Sequence, residues 1–483
     1  MYQVFDEAST PAASSDRVEA LLRELKKRRL KGFLVPHSDQ HQNEFLPPSE
    51  ERLAWLTGFT GSAGVAIVTD SGSALFVDGR YILQAPEQVD TEIFEVLQIP
   101  KAKPSEWLKS KLVRNNAVGY DARLHTISEI ERLKKSLGAA GIRLRALKDN
   151  PIDRIWGTDR PAPPQAEIFA QPLEFAGKGS GEKLIHVQME LVEAEHDAVL
   201  LTSPESICWL FNYRGGDIRH TPVALAHAIV PAKGRPTLFI DAEKVGEPMR
   251  DALKPFTDIA APDELDAALT KLAKSGAKVR LDEGSASMHF ANVLSAGGTK
   301  HVAGGDPCTL PKAIKTNAEQ QGARRAQLRD GVAMARFLAW LDEVGETGRV
   351  DEVSAAIKLE EFRRETGQLK DISFDTIAAS GPHGAIVHYR PTNDSKRVLD
   401  RNSLFLIDSG GQYTDGTTDV TRTVAVGRPT AEMKRHYGLV LRCHIAIASA
   451  RFPEGSRGQD LDPFARGPLW AAGLDFDHGT GHG

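Results

Sequence analysis

Between Leu404 and Thr423 the chain reads LFLIDSGGQYTDGTTDVTRT. Leu404–Ile407 is a short apolar run, the pattern of a buried strand. It ends on Asp408, and Ser409, Gly410 and Gly411 follow as turn residues. Thr417–Val426, rich in Thr and Val, predicts a second strand. Asp419, Thr421 and Thr423 alternate along it and so point to one face. If the two runs pair as a hairpin, Asp408 and Asp419 lie close together. Two carboxylates at the buried end of a hairpin repel each other unless a positive charge sits between them. A divalent metal is one answer, and hard oxygen donors suit manganese, magnesium or calcium. A surface hairpin carrying two solvated aspartates is the other.

The flanking segments bear on that choice. Upstream, Ile372–Pro391 reads ISFDTIAASGPHGAIVHYRP, with His388 after the apolar GAIV and before Tyr389. Such a histidine is either a strand-end ring bonded to a carbonyl or a site residue. Downstream, His478–Gly483 reads HGTGHG. His478 and His482 would share one face of a helix and could form a metal pair there. The interleaved glycines disfavour a helix. Two solvated histidines on a flexible segment is the plainer alternative.

In this order and spacing the three segments resemble the core of the pita-bread metallopeptidases, the group of aminopeptidase P, prolidase, creatinase and methionine aminopeptidase. The similarity runs back to the N-terminus and is greatest to the three-domain, long form of aminopeptidase P. It implies an α/β (α+β) chain: two duplicated creatinase-N-like α/β domains followed by a pita-bread catalytic domain. It implies Asp408, Asp419 and His482 as metal ligands, with His388 and His478 as substrate-site histidines. Two divalent ions are implied, manganese first, with cobalt or zinc as alternatives that also suit a carboxylate and imidazole set. The substrate implied is a peptide with proline in second position, from which the first residue is released. A homodimer is implied as well. The family's site has two further glutamate ligands and another histidine, all beyond the histidine motif. No glutamate in this chain matches them by motif. The expectation is therefore an incomplete third domain, from a fragment or truncated frame, with open sheet edges, exposed apolar surface and impaired or absent activity.

The remaining composition fits an enzyme of this kind. The chain has 483 residues, enough for two to four domains, with 41% apolar and 26% charged residues. A net charge of −5 gives no footprint for nucleic acid. Cys208, Cys308 and Cys443 are too few and too scattered for a disulfide framework or a zinc–cysteine site, which points to a reducing compartment. The first residues, MYQVFDEASTPAASSDR, lack a secretory pattern, and no run is long and apolar enough to span a membrane. The expected location is cytoplasmic.

Arg17–Arg29 predicts a helix with an apolar stripe at Val18, Leu21, Leu22 and Leu25. Gly32–Pro36 predicts a buried strand, and Arg52–Phe59 an apolar run before the glycine loop GFTGSAG. Val65–Thr69 and Ala74–Asp78 predict two further strands. The same order recurs in Glu182–Glu195, Ala198–Thr202, ICWLFNY with RGGD, Ala224–Val230 and Thr237–Asp241. Internal duplication explains the recurrence, with chance the alternative because the order is common in α/β domains. The proline-rich WGTDRPAPPQ, Trp156–Gln165, reads as a linker. Domain bounds of 1–160, 161–311 and 312–483 follow. The third is expected to open on one long helix, Thr316–Glu343, with Asn317 as cap. Besides an Xaa-Pro metalloaminopeptidase, two functions remain open: a prolidase- or creatinase-like hydrolase on the same fold, or a non-catalytic binding protein.

Overall fold

Two six-stranded sheets occupy the first two thirds of the chain. In the computed structural model, which describes residues 1–6 and 11–482, residues 7–10 and Gly483, the last residue of HGTGHG, lie outside the description. The first sheet runs in spatial order Phe94–Gln98, Gly72–Val77, Val65–Thr69, Gly32–Pro36, Ala117–Asp121, Arg143–Leu147. The second runs Asp258–Ala260, Thr237–Phe239, His227–Pro231, Ala198–Leu201, Val279–Leu281, Val302–Ala303. Every pairing has the same sense in both. The central strand is antiparallel to its hairpin neighbour and parallel to the strand on its other side. The outer pairs also agree. Chance does not explain agreement at every junction, whereas duplication does.

The sequence signals explain these elements. All residues of Gly32–Pro36 and of Ala198–Leu201 are buried, as expected of central strands covered on both faces. Helix Ser14–Lys27 buries Val18, Leu21 and Leu25. Helix Ser180–Glu193 does the same in the second unit with Leu184, Val187 and Leu191. The two Trp-containing runs are helices, Arg52–Thr57 and Pro204–Phe211. One apolar cluster crosses between the units, joining Leu34, Ile67 and Val118 to Leu200, Phe239 and Phe290. Backbone bonds reinforce it, with the Met288 N–H donating to the His125 carbonyl at 2.8 Å.

The third region opens on helix Asn317–Val344. Its cap is Thr316 rather than Asn317. The Thr316 hydroxyl accepts from the Glu319 N–H, and Glu319 returns the bond to the Thr316 N–H, a capping box that Asn317 cannot make from inside the first turn. This helix and Glu352–Arg364 cover one face of a three-stranded sheet ordered Ile377–Ser380, Ser403–Ser409, Val420–Val426. Phe405 and Ile407 fill that core, each at 0% exposure. The central strand therefore alternates between buried and half-buried residues instead of being uniformly buried. Ser409 belongs to that strand and Gly411–Tyr413 is itself a strand, so the expected turn is shorter than DSGG suggests.

A buried ion pair fixes this sheet to the helices. Arg363 donates to Asp330 at 2.7 and 3.0 Å and to the Ser409 hydroxyl at 3.1 Å. Tyr413 adds a bond to Asp330 at 2.8 Å. Val420–Val426 is an open edge. Helices Ala431–Ala448 and Gly458–Trp470 pack on each other but leave Val440, Ile445, Phe464 and Trp470 exposed.

Candidate functional site

Asp408 lies within strand Ser403–Ser409, on the face opposite Phe405 and Ile407. It pairs with Ile377 on one side and Thr421 on the other, so the antiparallel register expected from the sequence holds. The next residues out of register bring Asp419 beside it. Gly410 makes this approach possible, because a Cβ there would overlap the Thr418 carbonyl. The Asp408 Oδ1 atom is buried, and no hydrogen bond reaches it. Burial, and then the neighbouring Asp419, push the Asp408 carboxyl up to about 6, while the Thr421 hydroxyl and His482 act against them. His482 Nε2 stands 3.3 Å from Asp419 Oδ2, with the two side chains 81% and 45% exposed.

An orphaned buried carboxylate oxygen beside a second carboxylate and an imidazole is the donor chemistry of a divalent cation. The fit is partial. Among the described residues no group of three or more His, Cys, Asp or Glu side chains converges closely enough to hold an ion. Two aspartates and one histidine are also too few donors for two ions.

His388 and His478, expected as substrate-site histidines, lie near each other. His388 follows the short helix Gly381–Ala385 and is half-buried. Its Nδ1 is 2.8 Å from the Tyr81 hydroxyl, which comes from the first unit. Burial, and then the Arg80 guanidinium, lower its pKa below the ordinary histidine value, and His478 is close enough to add to the effect. His478 Nδ1 donates to the Gly479 carbonyl at 2.7 Å, and its carbonyl accepts from Arg466 at 2.7 Å. The HGTGHG segment is irregular over its described residues, as its glycines require. His383 anchors the loop instead of facing the carboxylates. Its Nδ1 is 2.8 Å from Glu352, which is fully buried and also accepts from the Ser380 N–H, the Arg397 N–H and the Tyr389 hydroxyl.

Sequence reasoning missed the contribution of the first unit. Asp78-Gly79-Arg80-Tyr81 sits against both histidine segments. Tyr81 reaches His388, and Gly79 lies so close to Asp477 that a Cβ would overlap its carbonyl. The available signal was a charged and aromatic cluster at the end of an apolar strand, where loops build sites.

Two α/β units precede a sheet whose central strand carries Asp408, with Asp419 and the histidines on the segments around it, and both parts of the chain match metallopeptidases. The profile of metallopeptidase family M24 matches residues 321–483, and that of the creatinase/prolidase N-terminal domain matches 17–149 and again 159–319. A protein named "Probable Xaa-Pro aminopeptidase P" from Neurospora crassa is 38% identical over 99% of this chain and 72% of its own length. A relative of the same name from Sordaria macrospora is 38% identical over 97% and 78%. The solved X-prolyl aminopeptidase of Caenorhabditis elegans, described as a cytosolic enzyme with a di-nuclear active site, superposes with a TM-score of 0.92 at 32% identity. That match covers 97% of this chain and 79% of the other. A Xaa-Pro dipeptidase from Bacillus anthracis is similar at 22% identity over 63% of the chain, a likeness of fold alone. The chain belongs to the aminopeptidase P family of M24 metallopeptidases.

Proposed function

We propose that this chain is a metal-dependent aminopeptidase that releases the N-terminal residue from peptides with proline in second position. The observation that carries the proposal is Asp408, a strand carboxylate whose buried Oδ1 has no hydrogen bond and which faces Asp419, itself within 3.3 Å of His482. Asp408, Asp419 and His482 would contribute ligands to the metal, with manganese the favoured ion, although as placed they do not close a site by themselves. A divalent ion held there would supply Lewis acidity toward water and the scissile carbonyl. Asp408 and Asp419 supply the negative charge that selects a cation and keeps it on the sheet face. His388 and His478 bind and orient the peptide next to it. Proline has no N–H and a fixed φ, so a site for it cannot rely on a backbone donor at that residue. Recognition then falls to shape and to groups that touch the flanking carbonyls.

The three proposed domains are 1–160, 161–311 and 312–483, the first two being copies of one unit. A homodimer and a cytoplasmic location complete the proposal. It fits that no helix among the described residues is long and apolar enough to cross a membrane.

A prolidase-like activity is the second reading, favoured only by the shared sheet and carboxylates. Peptide binding with manganese present separates the two, whether or not turnover follows. An Xaa-Pro-Xaa tripeptide is expected to bind more tightly than Xaa-Ala-Xaa and than the Xaa-Pro dipeptide, and to lose its first residue on turnover. Equal binding of all three would overturn the proposal, and preference for the dipeptide would favour the second reading.

A further inference from the structure

A chain of hydrogen bonds runs from His388 out of the third region into the first unit. His388 Nδ1 is 2.8 Å from the Tyr81 hydroxyl, which is 2.7 Å from Ser62 Oγ, which is 2.9 Å from Glu44 Oε1. The Ser62 N–H also donates to the Tyr81 oxygen at 3.0 Å. Glu44 is held by the Arg80 guanidinium at 3.4 Å and sits at the solvent end. Tyr81 is 1% exposed, and its ring packs edge-on against Phe59 at 5.3 Å.

The end of the chain fixes its direction. A carboxylate only accepts, so the single Ser62 hydroxyl proton goes to Glu44. Ser62 Oγ is then the acceptor for the Tyr81 proton. The Tyr81 oxygen, already taking the Ser62 N–H, has one lone pair left for His388, so Nδ1 must be the protonated ring nitrogen. The opposite direction would turn Ser62 Oγ and Glu44 Oε1 into two acceptors facing each other at 2.9 Å.

We propose that Tyr81, Ser62 and Glu44 of the first unit are positioning residues that hold His388 in its Nδ1–H tautomer. The Nε2 lone pair is left as the basic nitrogen of the ring. The proposal rests on His388 being the substrate-site histidine for its bearing on the reaction, but not for the tautomer itself. His388 then enters the site as a proton acceptor. It becomes a donor toward substrate oxygen only after taking a proton on Nε2. The chemistry of the third region is thereby conditioned by the first.

The test is ¹⁵N NMR of the full chain labelled at histidine nitrogens, with the His388 signals assigned from their loss in His388→Asn. The wild type is expected to show His388 with Nδ1 protonated and Nε2 bare. Tyr81→Phe keeps the ring against Phe59 and removes the acceptor, so the tautomer ratio should move toward Nε2–H by on the order of tenfold. Glu44→Gln can donate back to Ser62 and reverse the chain, so it should move the ratio the same way from a distance. A purely structural role for Glu44 would not. A wild-type ring protonated on Nε2, or a ratio that neither substitution moves, would overturn the proposal. The reading needs neither metal nor peptide. Absent peptide preference with the expected tautomer would therefore count against the proposed function alone.

Discussion

The first two units share a topology and differ in what they face. Each third strand leads into an aspartate that caps the next turn, Asp78 accepting from the Arg80 N–H at 2.9 Å and Asp241 from the Glu243 N–H at 3.0 Å. After that point they diverge. In the first unit Gly79, Arg80 and Tyr81 run against the histidine segments of the third region. In the second, Ala242 stands where Gly79 stands in the first, and the turn closes on its own unit. There Lys244 forms a buried pair with Asp217 at 2.7 Å. The central strand of the first unit is followed by the long connection His37–Glu51, which carries Glu44 and ends in the short 3-10 helix Pro48–Glu50, whereas in the second Leu201 is separated from helix Pro204–Phe211 only by Thr202 and Ser203. The loops of the first copy reach His388 and Asp477, whereas a loop of the second meets the third region elsewhere, with His220 3.0 Å from Asp371 and 3.3 Å from Asp375, and the sheet is the same in both.

If that division is correct, substitutions in the two copies should fail differently. Lys244→Met leaves the carboxylate of Asp217, at 0% exposure, without its charge partner. It should cost about 3–5 kcal/mol by chemical denaturation, with His388 NMR signals unchanged in the folded fraction. Gly79→Ala forces a methyl group into the Asp477 carbonyl. It should cost about 1–3 kcal/mol and also disturb His388 and His478, an outcome not expected for any change at Ala242.

Asp408 gives a smaller, pH-dependent effect. Its carboxyl is pushed up to about 6, so the charged form is the costly one in the folded chain. The contribution of Asp408 to the stability of the metal-free chain should therefore be greatest below the ordinary carboxylate range and should decline as pH rises through about 6, a dependence that Asp408→Asn removes. Metal affinity should run the other way, falling as pH drops below about 6, because the proton competes for the same oxygens. Calorimetric titration on either side of pH 6 checks this, and an affinity that does not change would contradict it. Tyr81→Phe should have the smallest effect on stability, under about 1.5 kcal/mol, despite its effect on His388.

Much of this architecture was legible in the sequence. Apolar runs such as GFLVP and AVLL marked the central strands, and antiparallel pairing of the two runs around DSGG brought Asp408 near Asp419. The histidine motif was legible through its resemblance and its glycines. What escaped was contact between units. Tyr81, Ser62 and Glu44 carry no local signal for meeting His388, because that meeting depends on how two separately folded parts pack. The Thr316 cap was misplaced by one residue, since Asn317 is also a good capping residue and only the reciprocal bond with Glu319 decides between them. The exposed apolar residues of helices Ala431–Ala448 and Gly458–Trp470 meet the expectation of exposed apolar surface in the third region, but which residues carry it was not legible, because periodicity reports which face is apolar and not whether anything covers it.

The central claim is that Asp408 and Asp419 form a cation site on the sheet face. Titration of manganese into the chain, compared with Asp408→Asn and Asp419→Asn, tests it most directly. Saturable binding by the wild type that weakens at least about tenfold, or about 1.4 kcal/mol, in each variant is the expected result. Binding of equal strength in all three proteins, or none in the wild type, would contradict it.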